Sequence, residues 1–587
     1  MKNFKKLLYL TNRKERMEVV RLLTMILIMG LLDMIGVASI LPLIMLLTDP
    51  AIIETNLILN LMFEFFKKFG IENSNQFLIV LVVTMFFLLV ISISFKAITT
   101  YVQTRFVYMQ EYNISKRLLE NYLKQPYSWF LSHHSSDLGK NILSEVSQVI
   151  GNGIKPLIEL ISKCVITIAI IFLLILVDPK LALIVGLSIG VTYLLIFYFI
   201  KSFLNKIGVK RLSSNKLRFL SLNNVFGAIK EIKLAGLEKY HINLFSEPAY
   251  DYAKTTSDAI VAGQLPRFFL EIIAFGGVLL LMLYLMNVTG EFNKSLPLIS
   301  LYVFAGYRLI PALQQIYNSF TQLTFVGPSL DSMVDQIKSL QSFTLNTNQN
   351  TLQFNKLINL RNIEYNYPKS QQVVLKDINI NIFANKTVGL IGTTGSGKTT
   401  LVDIILGLLE PKKGFLEIDG IAIDKNNLRS WQSMISYVPQ NIFLLDNTIT
   451  ANIAFGIDPE KVDLDAVLKA SKIANIHNFI QEELPNKYST IVGERGVRLS
   501  GGQIQRIGIA RALYHNPKVL ILDEATSALD SHTEQQVMDA INNLSKNLTI
   551  IIIAHRVNTM KNCDIIYKLE KGKIIEQGKF DKIIKLC

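Results

Sequence analysis

The chain has 587 residues, of which 50% are hydrophobic and only 18% charged, and its mean hydropathy is +0.35. That balance excludes an ordinary soluble domain and points to several membrane spans joined to at least one further domain. The formal net charge of +14 fits Lys and Arg gathered on cytoplasmic loops against anionic lipid better than it fits nucleic-acid binding. The three cysteines, Cys164, Cys563 and Cys587, have no metal-ligand spacing and form no disulfide framework.

In chain order, residues 1–12 read as a short amphipathic helix on the inner membrane surface, with Leu7, Leu8 and Leu10 set against lysines. The basic N-terminus and the long apolar run after it predict a cytoplasmic start and a retained first span, about Val19 to Leu47. That span contains Asp33, which is costly in lipid and is expected to face protein or water. Asp49-Pro50 ends it. Leu57, Leu61, Phe65 and Phe69 then recur every four residues, with Asn60, Glu64, Lys67 and Lys68 on the other side and Gly70 as a cap. This helix is expected outside, either lying in the interface or packed on the membrane domain.

Further spans are expected at about Phe77 to Ile98, Ile154 to Val177, Leu181 to Phe203, Phe268 to Met286 and Leu296 to Phe325, six in all. Polar helical extensions follow the second and fourth and predict two long cytoplasmic hairpins, broken near Gln125 to Phe130 and Gly227 to Leu237. Asp178-Pro179-Lys180 and Asn287 to Lys294 read as external loops. The expected division is a transmembrane domain over 1–340, an Asn/Thr/Gln-rich linker over 341–353, and a soluble α/β domain over 354–587.

In that last domain Val388-Gly389-Leu390-Ile391 reads as a strand running into Gly392, Thr393, Thr394, Gly395, Ser396, Gly397, Lys398 and Thr399, and Thr400 continues into a helix. This is the strand, glycine loop and helix N-terminus of a polyphosphate cradle. Lys398 is expected on the β- and γ-phosphates of ATP and Thr399 on Mg²⁺. Tyr367, before Pro368, is a candidate to stack on the purine, with Tyr365 as its competitor. The buried run Val519 to Leu522 ends in Asp523, a candidate Mg²⁺ carboxylate, and Glu524, a candidate to polarise water. Gln440 follows Tyr437-Val438-Pro439 and is expected to sense Mg²⁺ and water. His555, at the end of another apolar run, can contact a γ-phosphate. Leu499 followed by Ser500, Gly501, Gly502 and Gln503 opens a second anion-binding helix start, which crowds the first loop unless a second subunit supplies it.

This ordered set resembles the ATP-binding cassette proteins: Walker A (Gly392 to Thr399), Q-loop (Gln440), LSGGQ signature (Leu499 to Gln503), Walker B (Asp523, Glu524), D-loop (Ser527 to Asp530) and switch histidine (His555). Gly493-Glu494-Arg495-Gly496 is similar to the X-loop of ABC exporters. The resemblance implies a multidomain membrane protein, with a six-helix all-α exporter domain followed by an α/β P-loop cassette, working as a homodimer. The membrane half resembles, more loosely, the bacterial lipid-linked oligosaccharide flippases of the PglK type, through the external helix, Tyr307 to Pro311 and Pro266-Arg267-Phe268. That resemblance implies a polyprenyl-diphosphate oligosaccharide as substrate in the cytoplasmic membrane, with Arg308, Arg267 and Lys96 as its cations; Lys96 stands where arginine is expected. Each has a structural alternative: Arg308 with Asp33, Arg267 with Glu271, and Lys96 reaching to the inner interface. Export of a drug, lipid or peptide, and an ATP-gated channel, are the other readings; a nucleic-acid ATPase conflicts with six spans.

Overall fold

The computed structural model describes residues 6, 13–48, 50, 52–71, 73–289, 292–340, 352–368, 370–525, 528–544, 548–554 and 560–584. The amphipathic stretch over 1–12, apart from Lys6, most of the linker, Ser527, His555 and Cys587 lie outside these residues. The chain forms two compact units: residues 1–123 with 133–342, and residues 124–132 with 343–587. The break near Gln125 to Phe130 thus belongs, as the short helix Tyr127–Phe130, to the second unit although membrane helices flank it in sequence. The other break, with the helix Ile229–Ala235, stays in the first.

The first unit is helical. Its long elements are α1 (Arg13–Ala38), α2 (Ile40–Thr48), α3 (Leu57–Lys67), α4 (Ser74–Leu123), α5 (Lys155–Val177), α6 (Pro179–Gly227), α7 (Glu238–Gln264), α8 (Pro266–Thr289) and α9 (Phe292–Phe325). Among the described residues five helical runs are long and apolar enough to cross a membrane. The sixth expected span coincides with α9, which carries Arg308 and two internal prolines, Pro297 and Pro311. Helix occupies both ends of the predicted loop from Asn287 to Lys294, persisting to Thr289 and present again from Phe292.

The helix α3, expected outside, differs from its predicted pattern. Leu57, Leu61, Phe65 and Phe69 are all exposed, while Leu59, Met62, Phe63 and Phe66 pack with Leu46, Ile53, Phe77 and Leu81. Its second face is therefore apolar and packed, with Glu64 and Lys67 paired at its edge. A helix apolar on two sides satisfies only one within the chain, and the exposed stripe fits a hydrocarbon interface. Where the two hairpins expected in the cytoplasm meet, Arg211 of α6 is buried against Glu145 at 2.8 Å, and Asn215 donates to the same carboxylate at 2.7 Å. Breaking such a pair leaves one buried charge unmatched, so it holds the hairpins in register.

The second unit contains β1 (Leu357–Tyr365), β2 (Leu375–Phe383), β3 (Thr387–Gly392), α10 (Lys398–Ile405), β4 (Lys413–Ile418), β5 (Ile421–Ala422), β6 (Ile435–Val438), α11 (Gly501–Tyr514), β7 (Val519–Asp523), β8 (Thr549–Ile553), β9 (Ile565–Glu570) and β10 (Lys573–Gly578). One sheet has the order β2-β1-β4-β5 and is antiparallel; the other has the order β10-β9-β3-β8-β7-β6. In the latter β9, β3, β8, β7 and β6 run parallel. Every residue of β7 and β8 is buried, as parallel strands covered on both faces require. Their common C-terminal edge is where an open parallel sheet places its ligand site.

Candidate functional site

The loop between β3 and α10 is shaped by glycine where no other residue fits. Gly392 (φ +157), Gly395 (φ +79) and Gly397 (φ +105) have positive φ. A Cβ on Gly397 would come within 2.8 Å of Leu375, and one on Gly392 within 2.7 Å of Ser396 Oγ and closer still to the Leu569 carbonyl. The backbone is thereby free to wrap an anion. The Lys398 ammonium folds back onto the carbonyls of Gly392 (2.7 Å) and Thr393 (3.1 Å). Burial lowers its pKa, against the opposing pull of Glu524 and Asp523. Ser396 Oγ is buried with no hydrogen-bond partner among the described residues, the kind of orphan a phosphate oxygen would satisfy.

Walker B lies at the end of β7, separated from β3 only by β8. Asp523 is buried and accepts from the Tyr437 hydroxyl at 3.1 Å. Burial, and then the Asp523 charge, push the Tyr437 pKa up, so the phenol stays a donor. Glu524 adopts a left-handed backbone, φ +49, unusual for a side chain of its size and of the kind found at functional sites. Its amide donates to the Ile553 carbonyl at 2.9 Å, and its carboxylate accepts from Gln440 Nε2 at 2.6 Å. The structure thus joins Gln440 to Glu524 across 84 residues. Thr399 and Asp523 offer hard oxygen donors of the kind Mg²⁺ takes, few enough to leave places for phosphate oxygens and water.

Tyr367 bonds the Thr400 hydroxyl at 2.9 Å and meets Tyr365 edge-to-face with ring centroids 5.3 Å apart. Tyr365 is buried in the core and Tyr367 only half-buried, so of the two candidates Tyr367 presents the accessible ring. Ser500 caps α11: its hydroxyl accepts from Gln503 N at 3.3 Å, and Gln503 Oε1 accepts from Ser500 N at 2.7 Å. This capping box leaves the serine exposed at a helix N-terminus. A Cβ on Gly502 would meet the Ala528 carbonyl and Leu529 at 3.3 Å, and Gln505 accepts from Ala528 N at 3.0 Å. The glycines of the signature thus let α11 seat closely on the D-loop. Among the described residues no hydrogen bond links Ser500 to the loop at 392–399.

One residue escaped the sequence reading. Asp403, on α10, is buried with its pKa raised to about 6, first by burial and then by the Asp523 charge. Its aliphatic neighbours in sequence hid it. Because the folded chain holds this carboxyl protonated to a higher pH than the unfolded chain, it costs stability as pH rises from 3.8 to beyond 6. Asp403→Asn is expected to raise the melting midpoint of the full chain in detergent at pH 8, by at most about 3 kcal/mol in stability, and to change it little at pH 4. Equal shifts at both pH values would refute this.

In the membrane half Arg308 donates to Asp33 at 3.2 Å, as the structural alternative anticipated, and Ser92 donates to the same carboxylate oxygen at 3.2 Å. Asp33 is only 2% exposed. Arg267 stands apart: it pairs with Glu271 one turn along α8 at 2.7 Å, with both side chains exposed. Such an exposed pair is worth only a few tenths of a kcal/mol, on the order of 0.3–0.5. Lys96 lies near Lys163 of α5, within electrostatic reach of it.

Residues 42–305 match the family model of the ABC transporter transmembrane region, and residues 375–527 match the ABC transporter model. The ATP-dependent lipid A-core flippase of Wigglesworthia glossinidia brevipalpis is 30% identical over 482 residues, 81% of each chain. ABC transporter B family member 17 of Arabidopsis thaliana is 44% identical over 229 residues, 39% of this chain but only 18% of that longer protein. The fold is similar to a bacterial Atm1-family ABC exporter with ATP bound, with a TM-score of 0.78, 22% identity, and coverage of 98% of this chain and 97% of that one. The chain belongs to the ABC transporter family, and joins an exporter-type transmembrane region to an ATP-binding cassette in one polypeptide, the half-transporter arrangement.

Proposed function

We propose that this protein is an ATP-driven translocase that flips a polyprenyl-diphosphate-linked oligosaccharide across the bacterial cytoplasmic membrane. The observation that carries the reading is Arg308, held inside the helix bundle by Asp33 with Lys96 in the same layer. A guanidinium there is costly and suits the oxygens of a diphosphate. The exposed Leu57, Leu61, Phe65 and Phe69 stripe of α3 gives an outer surface on which a polyprenyl tail can rest while the polar head crosses. Arg267 is too weakly held by Glu271 to be committed, and serves at most as an outlying cation. A second reading, a phosphorylated acyl glycolipid, is favoured by the lipid A-core flippase relative.

The active unit in this proposal is a homodimer. The helix Ile229–Ala235 exposes Leu234 at 90%, with Phe226, Ile229 and Leu237 also exposed, an apolar patch that a second copy would cover. Ser500 to Gln503 of one copy would close on the ATP held by Lys398 of the other. Mg²⁺, held by Thr399 and Asp523 with Gln440 beside them, would neutralise phosphate charge. In hydrolysis Glu524 takes the proton of a water whose oxygen attacks the γ-phosphorus, and ADP leaves. Gln440 holds that carboxylate in place. His555 is assigned the γ-phosphate contact, Tyr367 the purine, and Thr400 orients Tyr367.

The test is reconstitution with the polyprenyl-diphosphate oligosaccharide, a phosphorylated acyl glycolipid, a drug and a peptide. Arg308→Ala is expected to lower transfer of the first at least about tenfold, and Arg308→Lys to recover part of it, because lysine keeps the charge but not the fork. Undiminished transfer by Arg308→Ala would end the assignment, and transfer of the drug or peptide alone would end the flippase reading.

A further inference from the structure

A layer of charge crosses the helix bundle. α1 and α5 approach so closely that a Cβ on Gly30 would lie 2.7 Å from Val165 Cγ1. Asp33 follows Gly30 by one turn of α1, and Lys163 precedes Val165 by two residues on α5. The Lys163 ammonium has Lys96 of α4, Asp33 of α1, Glu159 of α5 and Arg308 of α9 as its electrostatic neighbours. Four helices therefore bring three cations and two carboxylates together. Both carboxylates are engaged: Asp33 accepts from Arg308 and Ser92, and Glu159 accepts from Gln315 Nε2 at 2.6 Å. Among the described residues no carboxylate lies within ion-pair distance of Lys96 or Lys163. Lys163 stands fourteen residues before the end of α5 at Val177, roughly 21 Å along its axis, within a hydrocarbon layer of about 30 Å.

Two half-buried ammonium groups beside a paired guanidinium repel one another, and a fixed arrangement of that kind is stabilised by an incoming anion. We propose that Lys163, with Lys96 and Arg308, receives the phosphate-bearing headgroup of a lipid inside the membrane, and that Asp33 is the counter-ion the headgroup displaces from Arg308. Lys163 adds a third donor to the site. Asp33 keeps Arg308 neutralised until the substrate arrives and stays held by Ser92 afterwards. This rests on the headgroup reading of Arg308 above, and adds to it a residue and an exchange.

The experiment measures ATPase stimulation and lipid retention by the full protein in phosphatidylcholine nanodiscs. The probes are a polyprenyl-diphosphate sugar, the same polyprenol without phosphate, a phosphorylated acyl glycolipid and inorganic diphosphate. Lys163→Ala is expected to raise the half-saturating concentration of the phosphorylated lipid about tenfold, a charged hydrogen bond's worth. Lys163→Arg should restore it, and Asp33→Asn should lower it several-fold by freeing Arg308. Lys163→Met, similar in volume, substitutes if the alanine variant does not fold. Lys180→Ala, at the external turn, serves as the charge-removal control and should leave half-saturation unchanged. A folded Lys163→Ala or Lys163→Met with wild-type half-saturation overturns the proposal, as does Asp33→Asn with no shift. Stimulation by inorganic diphosphate equal to that by lipid overturns the lipid source. Stimulation by the acyl glycolipid alone, still sensitive to Lys163, keeps this site and discards the polyprenyl cargo. No response of the wild type to any phosphorylated lipid overturns both.

Discussion

Glu524→Gln should retain ATP binding yet lose steady-state hydrolysis by at least about a hundredfold, the lower range for removal of a positioned general base. The amide keeps the shape of the side chain, so the left-handed backbone at φ +49 and the bond to the Ile553 carbonyl need not change. What disappears is the carboxylate that Gln440 holds at 2.6 Å. Nucleotide trapped without turnover, seen as ATP retained on the purified variant, is the expected signature. Wild-type turnover would remove Glu524 from the chemistry. Gln440→Ala offers a graded companion: it releases the carboxylate without deleting it and should cost less.

Two inactive chains should make an active one. Lys398→Ala removes the ammonium that folds over the Gly392 and Thr393 carbonyls, and Ser500→Arg puts a cation and bulk at the N-terminus of α11, where the hydroxyl forms a capping box. Each homodimer carries the same lesion twice and should lose nearly all hydrolysis. In a mixed dimer one interface pairs both lesions and the other has neither. Random assembly in a two-fold dimer then leaves about a quarter of the sites intact. Activity of tagged, purified mixed dimers is the measurement. A mixed dimer as inactive as its parents, with both chains folded, would contradict paired composite sites, as would full activity from an isolated monomer.

The sequence made the phosphate loop legible because its residues are consecutive: glycine spacing, a β-strand before and a helix after are one local pattern. Asp523 and Glu524 were legible for the same reason, at the end of an apolar run. The bonds joining those motifs were less so. Tyr437 to Asp523 depends on β6 lying beside β7, and Tyr367 to Thr400 on the chain after β1, in one sheet, meeting α10, which follows β3 in the other. Asp403 lies among aliphatic residues on α10 and shows its character only once buried near Asp523. The Arg308 and Asp33 pair was anticipated because each is costly in lipid alone, although 275 positions separate them. Lys163 was not, since one lysine inside an apolar span does not disclose its neighbours until α1, α4 and α9 close around it. The second face of α3 misled for a simpler reason. Counting every fourth residue found one apolar stripe, and Phe63 and Phe66 made another that the core consumed.

The turn at Asp178 has a mechanical meaning. Its carboxylate accepts from Lys180 N at 3.0 Å and Leu181 N at 3.1 Å, its own amide donates to Leu174 at 2.9 Å, and Pro179 starts α6 with its φ already fixed. One non-helical residue therefore joins α5 to α6, which leaves little slack at the outer end of the hairpin. α6 continues for 49 residues, roughly 74 Å, against a hydrocarbon layer of about 30 Å. It is a stiff lever with its pivot near one end. A tilt of about 10° at that turn sweeps the far tip through roughly 13 Å, and in the reverse sense a large stroke at the far tip becomes a short, forceful movement near the turn. A hairpin built this way gives up travel for leverage.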